Sequence, residues 1–262
     1  MAKLKDAIAV VTGAGSGIGQ ETAIRFAEEG ARVILVGRTS SKLERVADRI
    51  NSHLPEQVAE VFRADVTNEE DVQNLAQFIQ KKYGDLHVLV NNAGVSSKST
   101  ILEMETSEWD RIQDTNLKST FLVSKILGKV IADGRINDKD SGNVRDRAIV
   151  NVASLSGHKA GAQIPHYSSS KAGVINFTKA LAVEFSQYGI RVNSVSPGYT
   201  ITPLTEEGLK NNRFEEAIKR HTALKRVGKP KEIANVIAFA ASSEASYMTG
   251  SDLLVDGGWL VT

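Results

Sequence analysis

The chain reads as an α/β protein built on a single doubly wound parallel sheet of about seven strands with helices on both faces. Three observations predict it. Short apolar runs of strand length alternate with longer amphipathic stretches, a glycine-rich turn joins the first run to the first stretch, and no Pro/Ser-rich linker or repeat interrupts the series. With 262 residues, 41 % of them apolar, one large core is within reach. Residues 1-262 are therefore expected to form one domain.

The first strand, Ala7–Thr12, runs straight into Gly13-Ala-Gly-Ser-Gly17-Ile-Gly19. Apolar positions Ile18, Ala23, Phe26 and Ala27 then suit a helix with one buried face, which Gly30 is placed to end. Such a loop brings bare backbone to a pyrophosphate, and the helix start offers unpaired N–H groups and a favourable dipole. Gly13, Ser16, Gly17, Ile18 and Gly19 are thus candidate cofactor contacts in a Rossmann-type unit. The spacing is Thr-Gly-x-x-x-Gly-x-Gly, and the missing Gly-Lys-Ser/Thr excludes a P-loop. A tight strand-to-helix turn without ligand is the competing reading.

The second strand, Arg32–Val36, ends at Gly37 and Arg38. An NAD-preferring enzyme usually places Asp or Glu here for the ribose 2′-hydroxyl, whereas Arg38 presents a planar fork suited to a 2′-phosphate. NADP(H) is preferred on that ground and NAD(H) stays possible, with Arg38 stacking on the adenine as the other account. After the third strand, Val58–Phe62, Asp65 and Val66 sit where an adenine could be met. Asp65 could instead cap the next helix, although Asn68 can take that task. The fourth strand, Leu86–Val90, stops at Asn91-Asn92-Ala93-Gly94. Small side chains at Ala93 and Gly94 admit a flat ligand; the Asn91 and Asn92 amides could equally hold backbone where the sheet splays.

A polar stretch at 133-147, with eight charged residues and two glycines, precedes the fifth strand, Ala148–Val152. It is expected to be a solvated loop on the face opposite the site. Beyond that strand come Ser154 and then Tyr167 and Lys171, four residues apart and so on one face of a helix. A free phenol titrates near ~10 and a neighbouring ammonium favours the phenolate, so the pair is a candidate acid. The sixth strand, Arg191–Ser194, leads to Pro197, Gly198, Thr200 and Thr202, and the last is Leu253–Val255.

Composition excludes several classes. The 32 basic and 31 acidic residues leave a net charge of +1, which gives no electrostatic reason to expect nucleic acid or an anionic membrane as partner. Zero cysteines rule out disulfides and thiolate chemistry. Met1–Asp6 is too short for a signal peptide and no apolar run reaches membrane-span length, so a cytoplasmic protein is expected. The five histidines lack metal-ligand spacing, and no metal site is expected.

Taken in order, Thr12-Gly13-x-x-x-Gly17-x-Gly19, Asp65, Asn91–Gly94, Asn116, Ser154, Tyr167-x-x-x-Lys171 and Pro197-Gly198-x-x-x-Thr202 resemble the motifs of the short-chain dehydrogenase/reductase family over essentially the whole chain. The resemblance implies that Tyr167 exchanges the proton, that Lys171 binds the nicotinamide ribose and lowers the phenol's pKa, that Ser154 hydrogen-bonds the substrate oxygen, and that Asn116 anchors a water. It implies carboxamide contacts from Thr200 and Thr202, a substrate loop near 203-220, and a homotetramer. Ser156, Gln163 and Tyr199 are further candidate substrate residues, with Ile164, Leu204, His158 and His166 flanking the same pocket. The polar loop leans toward a polar ketone, sugar or polyol as the small-molecule carbonyl/alcohol substrate, and a 3-oxoacyl thioester or an aliphatic ketone stays open. A non-catalytic NADP-binding regulatory protein is the alternative of another class, and a transferase on a similar sheet leaves Tyr167-x-x-x-Lys171 unexplained.

Overall fold

The computed structural model describes residues 2–141 and 145–262. Its elements alternate as expected: β1 (Ile8–Thr12), α1 (Gly17–Glu28), β2 (Arg32–Gly37), α2 (Ser40–Asn51), β3 (Ala59–Arg63), α3 (Glu69–Tyr83), β4 (Val88–Asn91), α4 (Thr106–Gln113), α5 (Ser119–Ser141), β5 (Arg147–Val152), α6 (Pro165–Ser186), β6 (Ile190–Pro197), α7 (Glu206–Leu209), α8 (Asn212–His221), α9 (Pro230–Ala241) and β7 (Asp252–Val255). The seven strands pair parallel in the order β3-β2-β1-β4-β5-β6-β7. Strand order reverses direction between β1 and β4, and ligands bind beyond the carboxyl ends of strands at such a switch point.

Successive side chains of a strand face opposite sides, and both sides here are covered, so the central strands β1, β2 and β4 are near-continuous apolar runs. Ala9, Val11, Val33 and Leu35 pack with Phe26 of α1 and Ile237 of α9. Val10, Ile34 and Leu89 pack on the other side with Leu75 of α3 and Leu127 of α5. Each such fully buried Leu, Ile or Phe contributes about 1.5–3 kcal/mol relative to exposure. Asn68 caps α3, its side chain accepting from the Glu70 and Asp71 N–H groups, and Gly84 (φ 74°) ends that helix in the left-handed region.

The stretch 133-147 departs from expectation. Residues up to Ser141 continue α5, and Arg147 opens β5 fully buried. Its guanidinium donates to both Asp85 carboxylate oxygens (2.6 and 2.7 Å), to the Leu86 carbonyl (2.6 Å) and to Asp138 (2.7 Å). Some of the charges that made the segment look like a solvated loop are thus paired, Arg147 with Asp138 and Asp146 with Arg191 of β6 (2.8 Å); Gly142, Asn143 and Val144 lie outside the described residues. Asp85 and Arg147 stand at the amino ends of β4 and β5, the edge of the sheet away from the carboxyl ends.

Candidate active site

A cavity of about 480 Å³ opens beyond the carboxyl ends of β1, β4, β5 and β6, lined among others by Gly13, Ser16, Gly17, Ile18, Asn92, Ala93, Gly94, Ser154, Tyr167, Lys171, Pro197, Gly198, Thr200 and Thr202. These residues are far apart in sequence. They meet because parallel strands all end on the same edge.

The first wall is the β1–α1 turn. Gly13 and Gly17 adopt φ of 65° and 56°, which an L side chain rarely takes. Gly19 is set by packing rather than conformation, for a Cβ there would lie 2.4 Å from both the Gly13 carbonyl oxygen and Asn92 Nδ2. Ser16 makes no side-chain cap and the first turn of α1 carries no acidic residue, so its N–H groups are left for an anionic group. Asn92 holds this wall, donating from Nδ2 to the Thr12 and Gly13 carbonyls (2.9 and 3.3 Å), while the Thr12 hydroxyl accepts from the Asn92 and Ala93 N–H groups. Asn91 turns inward to Ser124 and Asn151 (3.0 and 2.9 Å). Both amides thus hold the scaffold, and Asn92 also lines the cavity.

A smaller cavity of about 120 Å³ shares Gly13, Ala93 and Gly94 with the first and adds Gly37, Arg38, Asp65 and Val66. The Asp65 carboxylate accepts from the Thr67 N–H and hydroxyl (3.0 and 2.8 Å); burial opposes its ionisation, but these bonds and Arg38 hold its pKa below the ordinary value. Arg38 reaches no closer than 4.0 Å to Asp65 and is largely exposed. Lys42 of α2 lines the large cavity and, with Ser16, Arg45 and Arg49, a neighbouring one of about 360 Å³. The cations Lys42 and Arg45 escaped the sequence reading; their i, i+3 spacing on the helix after Arg38 was the available signal.

The opposite wall carries Ser154, Tyr167 and Lys171. Lys171 is 4 % exposed, and its Nζ donates to the Val152 carbonyl (2.8 Å) and lies 5.9 Å from the Tyr167 ring centre. Burial, with no opposing charge among the described residues, brings the ammonium down to about 8. The phenol does not follow the expected direction. Burial pushes Tyr167 above its ordinary value, against a smaller opposite effect of the hydrogen bond with Ser154. The expectation of a cation depressing a phenol required the two to be close in a polar setting, and here desolvation outweighs it.

Asn116 sits behind this wall, in a π-helical turn (Asp114–Lys118) between α4 and α5. Its Oδ1 accepts from the Val95 N–H (2.8 Å), and its Nδ2 donates to the Val95 carbonyl (3.0 Å) and Ser170 Oγ (3.1 Å). A Cβ added at Gly94 would lie 3.3 Å from Asn116 Oδ1 and 3.5 Å from Lys171 Nζ, so glycine keeps the space in front of both.

Several candidate substrate residues are not brought to the large cavity. Tyr199 packs its ring on Phe214 and Trp259 (centres 5.5 and 5.0 Å apart), the Ser156 N–H turns back to Ser154 Oγ, and Gln163 holds φ of 64° with its carbonyl accepting from the Ser99 N–H. His158 bonds Asp252 (2.7 Å), and His166 is wholly buried. Segment 203-220 is not an open loop: it forms α7 and most of α8, the latter capped by Asn211, and Pro203 and Leu204 line the cavity. No metal-ligand cluster and no helix long and apolar enough to cross a membrane occur among the described residues.

Comparison with known proteins agrees with this geometry. A family model described as enoyl-(acyl carrier protein) reductase matches residues 13–260. An uncharacterised oxidoreductase of Bacillus subtilis, YxbG, is 39 % identical, over 98 % of this chain and 92 % of its own. The 3-oxoacyl-acyl-carrier-protein reductase FabG of Thermotoga maritima is 36 % identical, over 99 % of this chain and 100 % of its own. Among solved structures, a short-chain dehydrogenase/reductase of Mycobacterium marinum superposes with a TM-score of 0.91 at 36 % identity, covering 99 % of this chain and 98 % of that one. A Beutenbergia cavernae protein for which an NAD(P)-dependent gluconate 5-dehydrogenase activity has been suggested, crystallised with NADP at low occupancy, superposes with a TM-score of 0.90 at 32 % identity, covering 99 % of both chains. The chain belongs to the short-chain dehydrogenase/reductase family and is an NAD(P)-dependent oxidoreductase acting on CH–OH/C=O groups.

Proposed function

We propose that the enzyme interconverts a small polar ketone and its secondary alcohol with NADP(H), Tyr167 being the group that exchanges the proton. The observation that carries this is the meeting, in one cavity, of a glycine-walled turn with Ser154, Tyr167 and a buried Lys171 that has no counter-charge among the described residues. Gly13, Ser16, Gly17, Ile18 and Gly19 would hold the pyrophosphate, Arg38 the 2′-phosphate, and Asp65 and Val66 the adenine. Asn92, Ala93, Gly94, Pro197, Gly198, Thr200 and Thr202 would surround the nicotinamide half, with Lys171 on its ribose. Such a cofactor supplies or accepts the hydride.

The chain's own residues do the rest. In reduction Tyr167 gives its proton to the carbonyl oxygen; in oxidation it takes one from the alcohol. Ser154 hydrogen-bonds that oxygen and stabilises the charge that develops on it. The phenol's raised pKa suits a group that must stay protonated until the oxygen demands the proton, and the ammonium of Lys171 stabilises the phenolate left behind. Asn116 keeps the Val95 backbone and the helix of Lys171 in register through Ser170. Tyr167→Phe should lose turnover by at least about 100-fold while cofactor binding, read by NADPH fluorescence, is retained. Retained turnover would refute the assignment.

NADP preference is supported by Arg38 and the missing carboxylate at the end of β2, with Lys42 and Arg45 adding positive charge on the same side. For substrate, the polar α7–α8 segment and the gluconate dehydrogenase activity suggested for two of the structural neighbours favour a sugar acid or polyol. The likeness to FabG across the full chain favours the second reading, a 3-oxoacyl thioester. Rates with 5-ketogluconate, an acetoacetyl thioester and cyclohexanone, each with NADPH and NADH, separate these. We also propose a homotetramer. The exposed Phe121 of α5 and its groove with Leu117, Phe177 and Ala180 support self-association, and a monomeric mass by light scattering would overturn it.

A further inference from the structure

His166 precedes the proposed proton donor by one residue, and the reaction as derived gives it no task. It is 0 % exposed, and its Nε2 lies 2.8 Å from the hydroxyl of Ser97, in the segment that follows β4. Ser97 in turn donates to Glu108 of α4, whose carboxylate also takes Arg111 Nε and Nη2 (2.7 and 2.8 Å).

Proton counting fixes the direction of this chain. Arg111, and then Ser97, hold the Glu108 carboxyl down to about 2, so above that pH it only accepts. The single Ser97 proton therefore points at Glu108, and the Ser97 oxygen must accept from His166. His166 consequently carries its ring proton on Nε2. Its Nδ1 is buried with no partner among the described residues, so a second proton would have no acceptor there. Burial, more than any neighbouring charge, keeps the imidazole below its ordinary titration range; Glu108 pulls the other way and Arg111 assists. The imidazole of this link is thus neutral at working pH.

What it joins is specific. The segment from Gly94 to Ser99 is tied at three successive alternate residues: Val95 to Asn116, Ser97 to His166, and the Ser99 N–H to the Gln163 carbonyl (2.8 Å). Gly94 and Val95 line the same cavity as Tyr167. The Gln113 amide meanwhile donates to the His166 carbonyl (2.9 Å), fixing the first turn of α6 to α4 from the other side.

We propose that His166 is a positioning residue: through Ser97 and Glu108 it sets the spacing between the 94–99 segment, whose Gly94 and Val95 wall the pocket, and the first turn of the helix that carries Tyr167. This rests on Tyr167 being the proton donor. A displacement of the order of 1 Å between a substrate and its acid costs up to about 100-fold in rate, so a neutral donor here can matter to turnover without touching the reacting atoms.

The test uses whichever of 5-ketogluconate, the acetoacetyl thioester or cyclohexanone gives the highest kcat/KM. His166→Leu, which removes the donor, should lower kcat/KM by at least about tenfold with NADPH affinity unchanged. His166→Gln, whose amide can reach Ser97, should restore most of it. Ser97→Ala should show the same loss, and the double variant His166→Leu/Ser97→Ala should be no worse than either single one. Should His166→Leu fail to fold, Ser97→Ala and His166→Gln/Ser97→Ala carry the same comparison. Additive losses, Gln no better than Leu, or wild-type kinetics in Ser97→Ala would overturn the proposal. Turnover by Tyr167→Phe, or none of the three carbonyls accepted by wild type, would instead fell the reading beneath it.

Discussion

Arg147 and Lys171 are buried cations at opposite edges of the same sheet, and they differ in company. At the amino edge, Arg147 is 0 % exposed and paired with Asp85 and Asp138, with Asp85 also 3.3 Å from His87. Burial opposes its charge, but the two carboxylates more than offset this and raise its pKa. At the carboxyl edge, Lys171 is as deeply placed, has one backbone carbonyl for a partner, and falls to about 8. A buried charge that the fold neutralises belongs to the scaffold. One that is left without a counter-charge in a cavity stands ready for a ligand.

The largest effect that sharpens this contrast is on turnover. Lys171→Met should lower kcat by about 100- to 10 000-fold, measured by NADPH absorbance, because the phenolate loses its neighbouring cation. Stability should move the other way. Below about pH 8 the folded protein bears the cost of a desolvated ammonium. Between there and the ordinary lysine value of about 10.4, the unfolded chain holds a proton that the folded one has released, so wild-type stability rises with pH. Lys171→Met should therefore gain Tm at pH 7, with the gain shrinking by pH 10.

Arg147→Met is the mirror experiment. Removing one member of a buried pair strands the others, and a loss of about 3–5 kcal/mol is expected in urea unfolding. The kcat of the folded fraction should hardly change. Loss of turnover with an intact fold would break the contrast between the edges. The smallest effect is on cofactor choice: Arg38→Asp should shift the NADPH-to-NADH ratio of kcat/KM toward NADH by about ten- to 100-fold, since a carboxylate repels a 2′-phosphate and accepts from a 2′-hydroxyl.

The same contrast explains what could be read in the sequence. Gly13, Gly17 and Gly19, Asn91–Gly94 and the Tyr167/Lys171 spacing were legible because each is a local backbone requirement or a one-turn relation on a helix. The seven strands were legible from apolar runs, with ends displaced by up to three residues. The run 133-147 misled because a charge looks the same in sequence whether it meets water or a partner: Arg147 finds Asp85, which is 62 positions away. Tyr167 misled for a related reason, since burial decides the sign of its shift and burial is a tertiary property. The Glu108–Ser97–His166 link joins three segments and carries no spacing signal of its own.

The titration of the Lys171 ammonium in the free protein, followed by NMR of its side-chain nitrogen with Lys171→Met to assign the signal, shows whether this cation is buried without a counter-charge. A midpoint of about 8 is expected. A midpoint at the ordinary lysine value of about 10.4 would mean that the cation is solvated or paired, and would contradict burial without a counter-charge.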